Sequence, residues 1–297
     1  MKRREFARSM MAGLLLPAAG LFPERLQRSL WIAVLLPARA TGGASTSFAS
    51  GVEMGKEETL RAAALFSRGL GFIDASYTPA ADLSAIVSRV KAQGTVLLVS
   101  ALEEETAELS TLCDSARLVL LNGAARTDSL RRSTCSDFVF HVEASESMYR
   151  SAAQSVAIPQ DSVALWSPAL EKYGAAQLND RYAARTGSVM DASAWAGWMC
   201  VKIAWEASIR ASSAESRQIA DYLVRESTAF DGHKGAPLSF RKWDHQLRQP
   251  LYAAAPVSGG RVSEIPDVAM ASGSVMKLLD TIGDPLGMTT CTKGKRR

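Results

Sequence analysis

The 297-residue sequence lacks the common signatures of catalysis and metal binding. It contains no Gly-x-Ser-x-Gly nucleophile elbow, no phosphate-binding loop and no His-Glu-x-x-His zinc motif. It has only three histidines and four cysteines, and no two cysteines have the Cys-x-x-Cys spacing of a zinc site. We therefore predict that the protein is not an enzyme and that it holds no metal ion and no cofactor.

The body of the protein also lacks a surplus of positive charge. Residues 1–28 contain six of the 34 basic residues and two of the 30 acidic ones, which leaves 28 of each in the rest of the chain. Proteins that bind nucleic acid carry clustered basic residues that neutralise phosphates. We therefore predict no nucleic-acid partner.

The first 28 residues have the composition of an export signal. Lys2-Arg3-Arg4-Glu5-Phe6 is a twin-arginine pattern, and an apolar run from Met10 to Phe22 follows it. A bilayer span needs about 20 apolar residues, so this run is too short to cross a membrane. We predict a twin-arginine signal and linker over residues 1–28 and a periplasmic location. Ala18-Ala19-Gly20 is a poor match to a cleavage site, so cleavage and an uncleaved anchor both stay open.

Apolar runs alternate with helical patterns between residues 30 and 140. Leu30 to Leu36 is continuously apolar and ends at Pro37, as expected for a strand that is buried on both faces. Further strands are predicted at 71–77, 95–99, 117–121 and 138–140, and helices at 45–66, 82–94 and 102–113. This alternation predicts an α/β fold with a doubly wound parallel sheet.

Residues 230–252 have the pattern of a β-hairpin. Gly232 and Gly235 permit positive φ in the opening turn. Leu238 and Phe240 then alternate with polar residues, and the alternation resumes from Gln246 to Tyr252. We predict a half-buried hairpin that joins its strands through Trp243-Asp244-His245. The alternative interpretation is a surface hairpin without a special role.

Several segments together resemble one protein family. They are the hairpin residues Leu238-Ser239-Phe240-Arg241 and Gln246-Leu247-Arg248-Gln249-Pro250, with Trp166-Ser167-Pro168, residues 172–181 (Lys-Tyr-Gly-Ala-Ala-Gln-Leu-Asn-Asp-Arg) and Leu279-Asp280-Thr281-Ile282-Gly283. The chain resembles type I periplasmic binding proteins of ABC importers, within the branched-chain amino-acid-binding group. It looks most like the branch associated with PQQ-dependent alcohol dehydrogenase systems. The resemblance implies a small-molecule solute, an ABC permease as partner, and a link to a PQQ-dependent dehydrogenase system.

The chain departs from this family between Tyr149 and Trp166. Full-length members insert several strand–helix units there, and those units build a second lobe, whereas about fifteen residues connect the two positions here. We therefore predict a strongly reduced second lobe. The predicted divisions are a first α/β lobe at 29–155, helices that pack on it at 156–228, and a hairpin remnant of the second lobe with the C-terminal tail at 229–297.

Two loops are candidates for ligand binding. Ligands in open α/β sheets bind beyond the carboxyl ends of the strands, where Ser100-Ala101 and Asn122-Gly123-Ala124 follow the third and fourth strands. The resemblance implies that these loops hold the carboxylate and amino group of a solute, and Ser100 matches a hydroxyl position of the family. The alternative is that they are ordinary connections and that Ser100 caps a helix.

The resemblance also implies a disulfide between Cys113 and Cys135, because the family commonly has one at this place in its first lobe. Such a loop would stabilise the fold by about 3 kcal/mol. Cys200 lies in an aromatic helical stripe and is predicted to be a buried free thiol, while the state of Cys291 stays open.

Two hypotheses for the function follow from these patterns. The first is the periplasmic solute-binding component of an ABC import system, linked to PQQ-dependent alcohol oxidation. The alternative is a degenerate, one-lobed binding protein that acts as a protein-interaction or accessory factor, because a single lobe cannot enclose a ligand.

Overall fold

The centre of the molecule is a five-stranded parallel sheet. The structure is a computed structural model and describes residues 29–38, 43–133, 136–253, 262–270 and 273–289. The strand order is β2-β1-β3-β4-β5. The strands are β1 (Leu30–Pro37), β2 (Leu70–Tyr77), β3 (Leu97–Ser100), β4 (Val119–Asn122) and β5 (Val139–His141). The predicted doubly wound α/β sheet is confirmed.

Helices cover both faces of this sheet. In chain order they are α1 (Gly43–Leu65), α2 (Leu83–Ala92), α3 (Thr106–Ala116), α4 (Ser129–Arg132), α5 (Glu146–Ser155), α6 (Ala175–Thr186), α7 (Ala192–Arg210), α8 (Ser216–Leu223) and α9 (Val275–Leu279). Ala33 and Leu35 of β1 pack with α2 and α3 on one face, whereas Ile32 and Val34 pack with α1 and α7 on the other. Burial on both faces explains why β1 is apolar at every position.

Glycines allow α1 and α7 to lie in close contact. A Cβ added at Gly51 would lie 1.9 Å from the carbonyl oxygen of Ala194, and one at Gly197 would lie 2.3 Å from that of Phe48. Both distances are far below van der Waals contact, so the two backbones touch at these positions. The helix pair therefore depends on the absence of two side chains.

The predicted hairpin forms, but it is shorter than expected. β7 (Phe230–Asp231), β8 (Pro237–Phe240) and β9 (Leu247–Arg248) make one antiparallel sheet. Leu251 lies in another sheet, in which β10 (Leu251–Ala253) pairs with β6 (Val163–Ala164) and β11 (Glu264–Ile265). The prediction of one strand from Gln246 to Tyr252 is therefore wrong. Pro250, which has no backbone N–H for a ladder, separates the two pieces.

The hairpin is also more buried than its alternation predicts. Phe240 packs edge-on against Phe140 of β5, with ring centroids 5.2 Å apart, and Arg241 is fully buried. Gln246 forms a parallel bridge with His141 at the end of β5. The hairpin connection thus lies against the outer edge of the parallel sheet, which buries both of its faces. The division of the chain into a first lobe, packing helices and a second-lobe remnant stays a prediction.

Backbone turns set where two helices begin. Helix α6 begins at Ala175, because Tyr173 and Gly174 before it have positive φ values of 57° and 81°. Positive φ is incompatible with a continuing right-handed helix. Likewise α3 begins at Thr106 and not at Leu102, because Ser100 and Leu102 form a side-chain-capped turn first.

The predicted disulfide is not formed by Cys113. Its thiol is free and lies fully buried in the core beside α2, where burial raises its pKa to about 12. Cys135 and Cys291 lie outside the described residues, as does the export signal predicted at 1–28. The prediction for Cys200 is confirmed, because it is a free, buried thiol. Within residues 29–289, among those that are described, no helix is both long and apolar enough to cross a membrane.

Candidate functional site

The predicted ligand loops meet at the carboxyl edge of the parallel sheet. Ser100 at the end of β3 lies beside Asn122 at the end of β4, and Asn122 lies beside His141 at the end of β5. The alternating strand–helix pattern requires this arrangement, since parallel strands all end at one edge. The structure therefore brings together the two loops that the sequence singled out.

The Ser100 loop is directed into the protein. Ser100 is fully buried, and its Oγ accepts a hydrogen bond from the backbone N–H of Leu102 at 3.1 Å. Its carbonyl oxygen accepts from the backbone N–H of Gly123 at 3.1 Å. Ala101 is buried as well. These bonds join the β3 and β4 loops to each other. Ser100 caps the turn at Leu102 and not the helix α3, which begins at Thr106.

The side chain of Asn122 stabilises the β4 loop through hydrogen bonds. Its Oδ1 accepts from the N–H groups of Ala124 and Ala125 at 3.1 and 2.8 Å. Its Nδ2 donates to the carbonyl oxygen of Ala125 at 2.8 Å and to Nδ1 of His141 at 3.1 Å. His141 must therefore carry its proton on Nε2. Burial and the neighbouring Arg131 hold the pKa of His141 well below its ordinary value.

A glycine is required at position 123 because the core residues beneath the loop leave no room for a side chain. A Cβ at this position would lie 2.4 Å from the ring of Phe48 and 3.0 Å from Sγ of Cys200. Ala124 is only partly buried, which makes it the most accessible of the five predicted ligand residues. The assignment of these five residues as ligand contacts stays a prediction.

Three residues that the sequence prediction missed form a polar cluster at the same edge. Nε of Arg126, in the β4 loop, lies 3.4 Å from Oε1 of Glu143, which follows β5. The hydroxyl of Tyr149, on α5, donates to the same carboxylate oxygen at 2.7 Å. The guanidinium of Arg126 stacks over the Tyr149 ring, 4.5 Å from its centroid. We call these three residues the edge cluster.

Exposure differs sharply within the edge cluster. The Arg126 side chain is 50% exposed, whereas that of Glu143 is 4% exposed, and Tyr149 is buried. Arg126 therefore covers a buried acid and a buried ring, and half of its side chain stays exposed to solvent. A planar cation held in place by stacking and by an ion pair is suited to bind an anion.

The protonation behaviour of the edge cluster follows from its burial. Burial raises the pKa of Glu143, and Arg126, Tyr149 and Arg131 oppose this only in part. Burial and the carboxylate of Glu143 raise the pKa of Tyr149 well above its ordinary value. Burial is the largest single effect on the pKa of Arg126 and lowers it, but Glu143, Tyr149, Glu103 and Glu146 together outweigh burial, so this pKa is raised overall. Arg126 is a permanent cation at neutral pH.

Substituting Glu143 by glutamine is expected to change how stability depends on pH. Because the folded protein raises the pKa of Glu143 above its ordinary value of 4.5, the folded state holds this proton more tightly than the unfolded state. The wild type therefore loses stability as pH rises from 4.5 through the folded pKa, by up to about 1.4 kcal/mol per pH unit. The E143Q variant has no titrating group at this position, so its stability does not fall in this way. Its side-chain amide oxygen can still accept a hydrogen bond from the Tyr149 hydroxyl.

Urea unfolding followed by circular dichroism between pH 4.5 and 8 measures this difference. The stability of E143Q relative to wild type should increase with pH, whereas E146Q, a change at the exposed Glu146 nearby, should follow the wild-type curve. Parallel curves for E143Q and wild type would contradict the raised pKa.

Glu143 is the one member of the edge cluster that the sequence pattern indicates. Ligands bind beyond the carboxyl ends of strands, and Glu143 is an acid that follows the buried strand β5, so the rule that selects the loops after β3 and β4 also selects it. The contact with Arg126 could not have been predicted, because it depends on the positions of two loops.

No protein-family model and no curated protein matches this sequence. Solved structures, however, have the same fold. A periplasmic ligand-binding protein of a branched-chain amino-acid ABC transporter from Burkholderia xenovorans has a TM-score of 0.65 and 9% identity, with 90% of this chain and 100% of that chain covered.

Two further solved structures were determined with ligands. LivJ from Streptococcus pneumoniae, a substrate-binding protein in complex with isoleucine, has a TM-score of 0.63 and 13% identity and covers 80% of this chain and 100% of its own. A solute-binding protein of an ABC transporter from R. palustris, in complex with benzoate, has a TM-score of 0.62 and 10% identity, with 80% and 96% covered. At such low identity the likeness shows the fold alone: this chain has the fold of the solute-binding proteins of branched-chain amino-acid ABC transporters.

Proposed function

We propose that the protein is the solute-binding component of an ABC import system. It binds a small solute at the carboxyl edge of the parallel sheet, among the loops that follow β3, β4 and β5. The observation that carries this proposal is the half-exposed side chain of Arg126, whose guanidinium lies over Tyr149 and beside Glu143 at that edge. The solved proteins with this fold include one in complex with isoleucine and one with benzoate, and both molecules contain a carboxylate.

The location and partners of the protein are part of the same proposal. An importer's binding component acts in the periplasm and delivers its solute to a permease, and the twin-arginine pattern at residues 2–6 supports export. A reduced second lobe is supported by the short connection between α5 and β6, which consists of residues 156–162. Such a protein covers its solute from one side and binds it more weakly than an enclosing clamp.

A link to PQQ-dependent alcohol oxidation is the finer form of this proposal. Its support is the sequence resemblance at Trp166-Ser167-Pro168 and at Leu279 to Gly283. A strain that lacks the gene should grow poorly on short alcohols as sole carbon source. Normal growth on every alcohol that the parent strain oxidises would contradict the link and leave solute binding unaffected.

Isothermal titration calorimetry tests the solute-binding proposal. The panel contains amino acids, short alcohols, organic acids, PQQ, calcium and lanthanide ions, each titrated into the full chain after folding is checked by circular dichroism. We expect saturable heat from at least one small solute. Folded protein that gives no heat with any member of the panel would contradict the proposal.

A second candidate function is a one-lobed accessory factor that binds another protein. Two observations favour it. The polar side chains of Ser100 and Asn122 are buried and bonded within the protein, and Leu65 and Phe66 at the end of α1 are 85% and 68% exposed. Affinity capture from the source bacterium should then recover a permease or a dehydrogenase subunit, and recovery of neither argues against this candidate.

A further inference from the structure

We propose that Arg126 binds the carboxylate of the solute and that the solutes are monocarboxylic acids that need no amino group. The inference rests on the proposed function, because it names the class of solute for the same edge of the sheet. It depends on which N–H donors of the edge cluster have no acceptor within the protein and on the charged side chains that surround these donors.

Arg126 has donors to spare, unlike its neighbour Arg131. All three nitrogens of Arg131 donate to internal acceptors: Gln246 Oε1 at 3.0 Å and the carbonyl oxygens of Ala125, Thr127 and Glu143 at 2.9 to 3.1 Å. For Arg126, the Glu143 carboxylate is the ion-pair partner, at 3.4 Å from Nε. Across the described part of the chain, its Nη1 and Nη2 donate to no protein acceptor. They form the fork that binds a carboxylate through two parallel hydrogen bonds.

The position of this fork is already restricted before any solute binds. Stacking on Tyr149 and the contact with Glu143 hold the guanidinium from two sides. A free arginine loses about 2 kcal/mol of rotamer entropy when it is immobilised, and a preorganised one loses less on binding. The edge cluster therefore favours a ligand that matches a planar fork.

The local charge favours a monoanion over a phosphate ester. Carboxylates of Glu143, Glu103 and Glu146 all act on Arg126 and raise its pKa. The Glu143 carboxylate already pairs with the single cation of Arg126, so every bound anion adds negative charge beside a buried acid. A dianion such as phosphate adds two such charges and a monocarboxylate adds one, and the repulsion costs free energy. The edge cluster therefore accommodates carboxylates better than phosphates.

An ammonium group has little access to a buried partner at this place. Glu143 is the one buried acid of the edge cluster, its side chain is only 4% exposed, and its Oε1 already accepts from the Tyr149 hydroxyl and from the backbone N–H of Ala144. Arg126 covers this acid, so an ammonium would have to displace the guanidinium. Glu103 and Glu146 are exposed, and pairs between exposed charges contribute little. An amino group on the solute therefore adds little to its affinity.

Matched ligands test the class of solute by isothermal titration calorimetry with the full chain. The probes are acetate, butanoate, 4-methylpentanoate and benzoate, with leucine as the amino derivative of 4-methylpentanoate, 4-methylpentan-1-ol as its neutral analogue, and inorganic phosphate. We expect at least one monocarboxylate to bind, leucine to bind no more tightly than 4-methylpentanoate, and the alcohol and phosphate to bind at least tenfold more weakly than the best carboxylate.

Variants test the role of Arg126. R126Q should weaken carboxylate binding at least tenfold, and R126K should weaken it less, since a lysine keeps the charge without the fork. R150Q is the matched control, because Arg150 is equally exposed and lies 3.9 Å from Asp128; its affinity should equal that of wild type. Circular dichroism checks that each variant is folded.

Each remaining outcome is decisive. Leucine binding without 4-methylpentanoate binding, or unchanged carboxylate affinity in folded R126Q, overturns this inference. If alcohols or other neutral solutes bind and no carboxylate does, the inference falls while the proposed function stands. If nothing in either panel binds to folded protein, both fall.

Discussion

Replacing Gly51 by alanine is expected to lower the free energy of unfolding by about 3 kcal/mol. The new methyl group would lie 1.9 Å from the carbonyl oxygen of Ala194. Both atoms are fixed to helical backbones, so no side-chain rotation can relieve the overlap and α1 must move away from α7. The higher helix propensity of alanine offsets about 1 kcal/mol of the cost of this overlap. The expected loss in free energy of unfolding is the net value after this offset.

A matched variant separates this overlap from a general effect of glycine replacement. Gly43, the first residue of the same helix, has no atom within 4 Å of an added Cβ, so G43A should be neutral or slightly stabilising. G197A should resemble G51A, because its Cβ would lie 2.3 Å from the carbonyl oxygen of Phe48. Urea unfolding followed by tryptophan fluorescence measures all three, and a G51A midpoint equal to that of wild type would refute the close contact.

The local features of the first α/β layer could be predicted from the sequence. The apolar run that begins at Leu30 specifies a buried strand, and it became the central strand β1. The sequence predicts a helix over residues 82–94, between Asp82 and Gly94. In the structure, the Asp82 carboxylate accepts from the N–H of Ser84 at 2.8 Å, and Gly94 has a φ of +83°. These signals act within a few residues of the chain, and a single sequence contains them in full.

Contacts between distant segments could not be predicted in the same way. Gly51 and Gly197 lie inside helices, where local rules count glycine as unfavourable, and the reason for each is a backbone 143 to 149 residues away. The prediction of a half-buried hairpin was wrong for a related reason. Its alternating pattern predicted one solvated face, but the contact of Phe240 with Phe140 and the bridge of Gln246 to His141 bury both faces.

The candidate site shows the same division. The position of the two ligand loops followed from strand order, but the direction of their side chains did not. Asn122 was read as a ligand loop residue, yet its amide is used by Ala124, Ala125 and His141. Arg126 and Arg131 lie five residues apart and have the same chemistry. Arg131 is held inside by the distant partner Gln246 together with three backbone carbonyl oxygens. Arg126 has no such set of acceptors and stays half exposed.

Substituting Arg131 by methionine is expected to cost about 4 kcal/mol of stability. The side chain is buried, and its four hydrogen bonds connect the β4 loop, the β5 loop and Gln246. Methionine fills similar volume but offers no donor. Gln246 Oε1 would lose its donor, and the buried acids Glu143 and Asp244 would lose a nearby cation. R131K should recover less than half of the loss, because one ammonium cannot reach acceptors on both loops.

The pH dependence of this loss identifies its cause. Burial lowers the pKa of Arg131 from its ordinary value to about 10, so both folded and unfolded states carry its charge below about pH 9. The contribution of this group to stability changes only above about pH 10, where the unfolded state binds more protons and stability rises with pH. The Arg131 charge itself therefore adds no pH dependence to the difference between R131M and wild type from pH 6 to 9, and a change in that range reports the buried acids Glu143 and Asp244, whose pKa values Arg131 lowers. R150M, at a half-exposed arginine, should change stability by less than about 0.5 kcal/mol. A loss in R131M no larger than that of R150M would mean that the loops at the carboxyl edge hold their positions without Arg131.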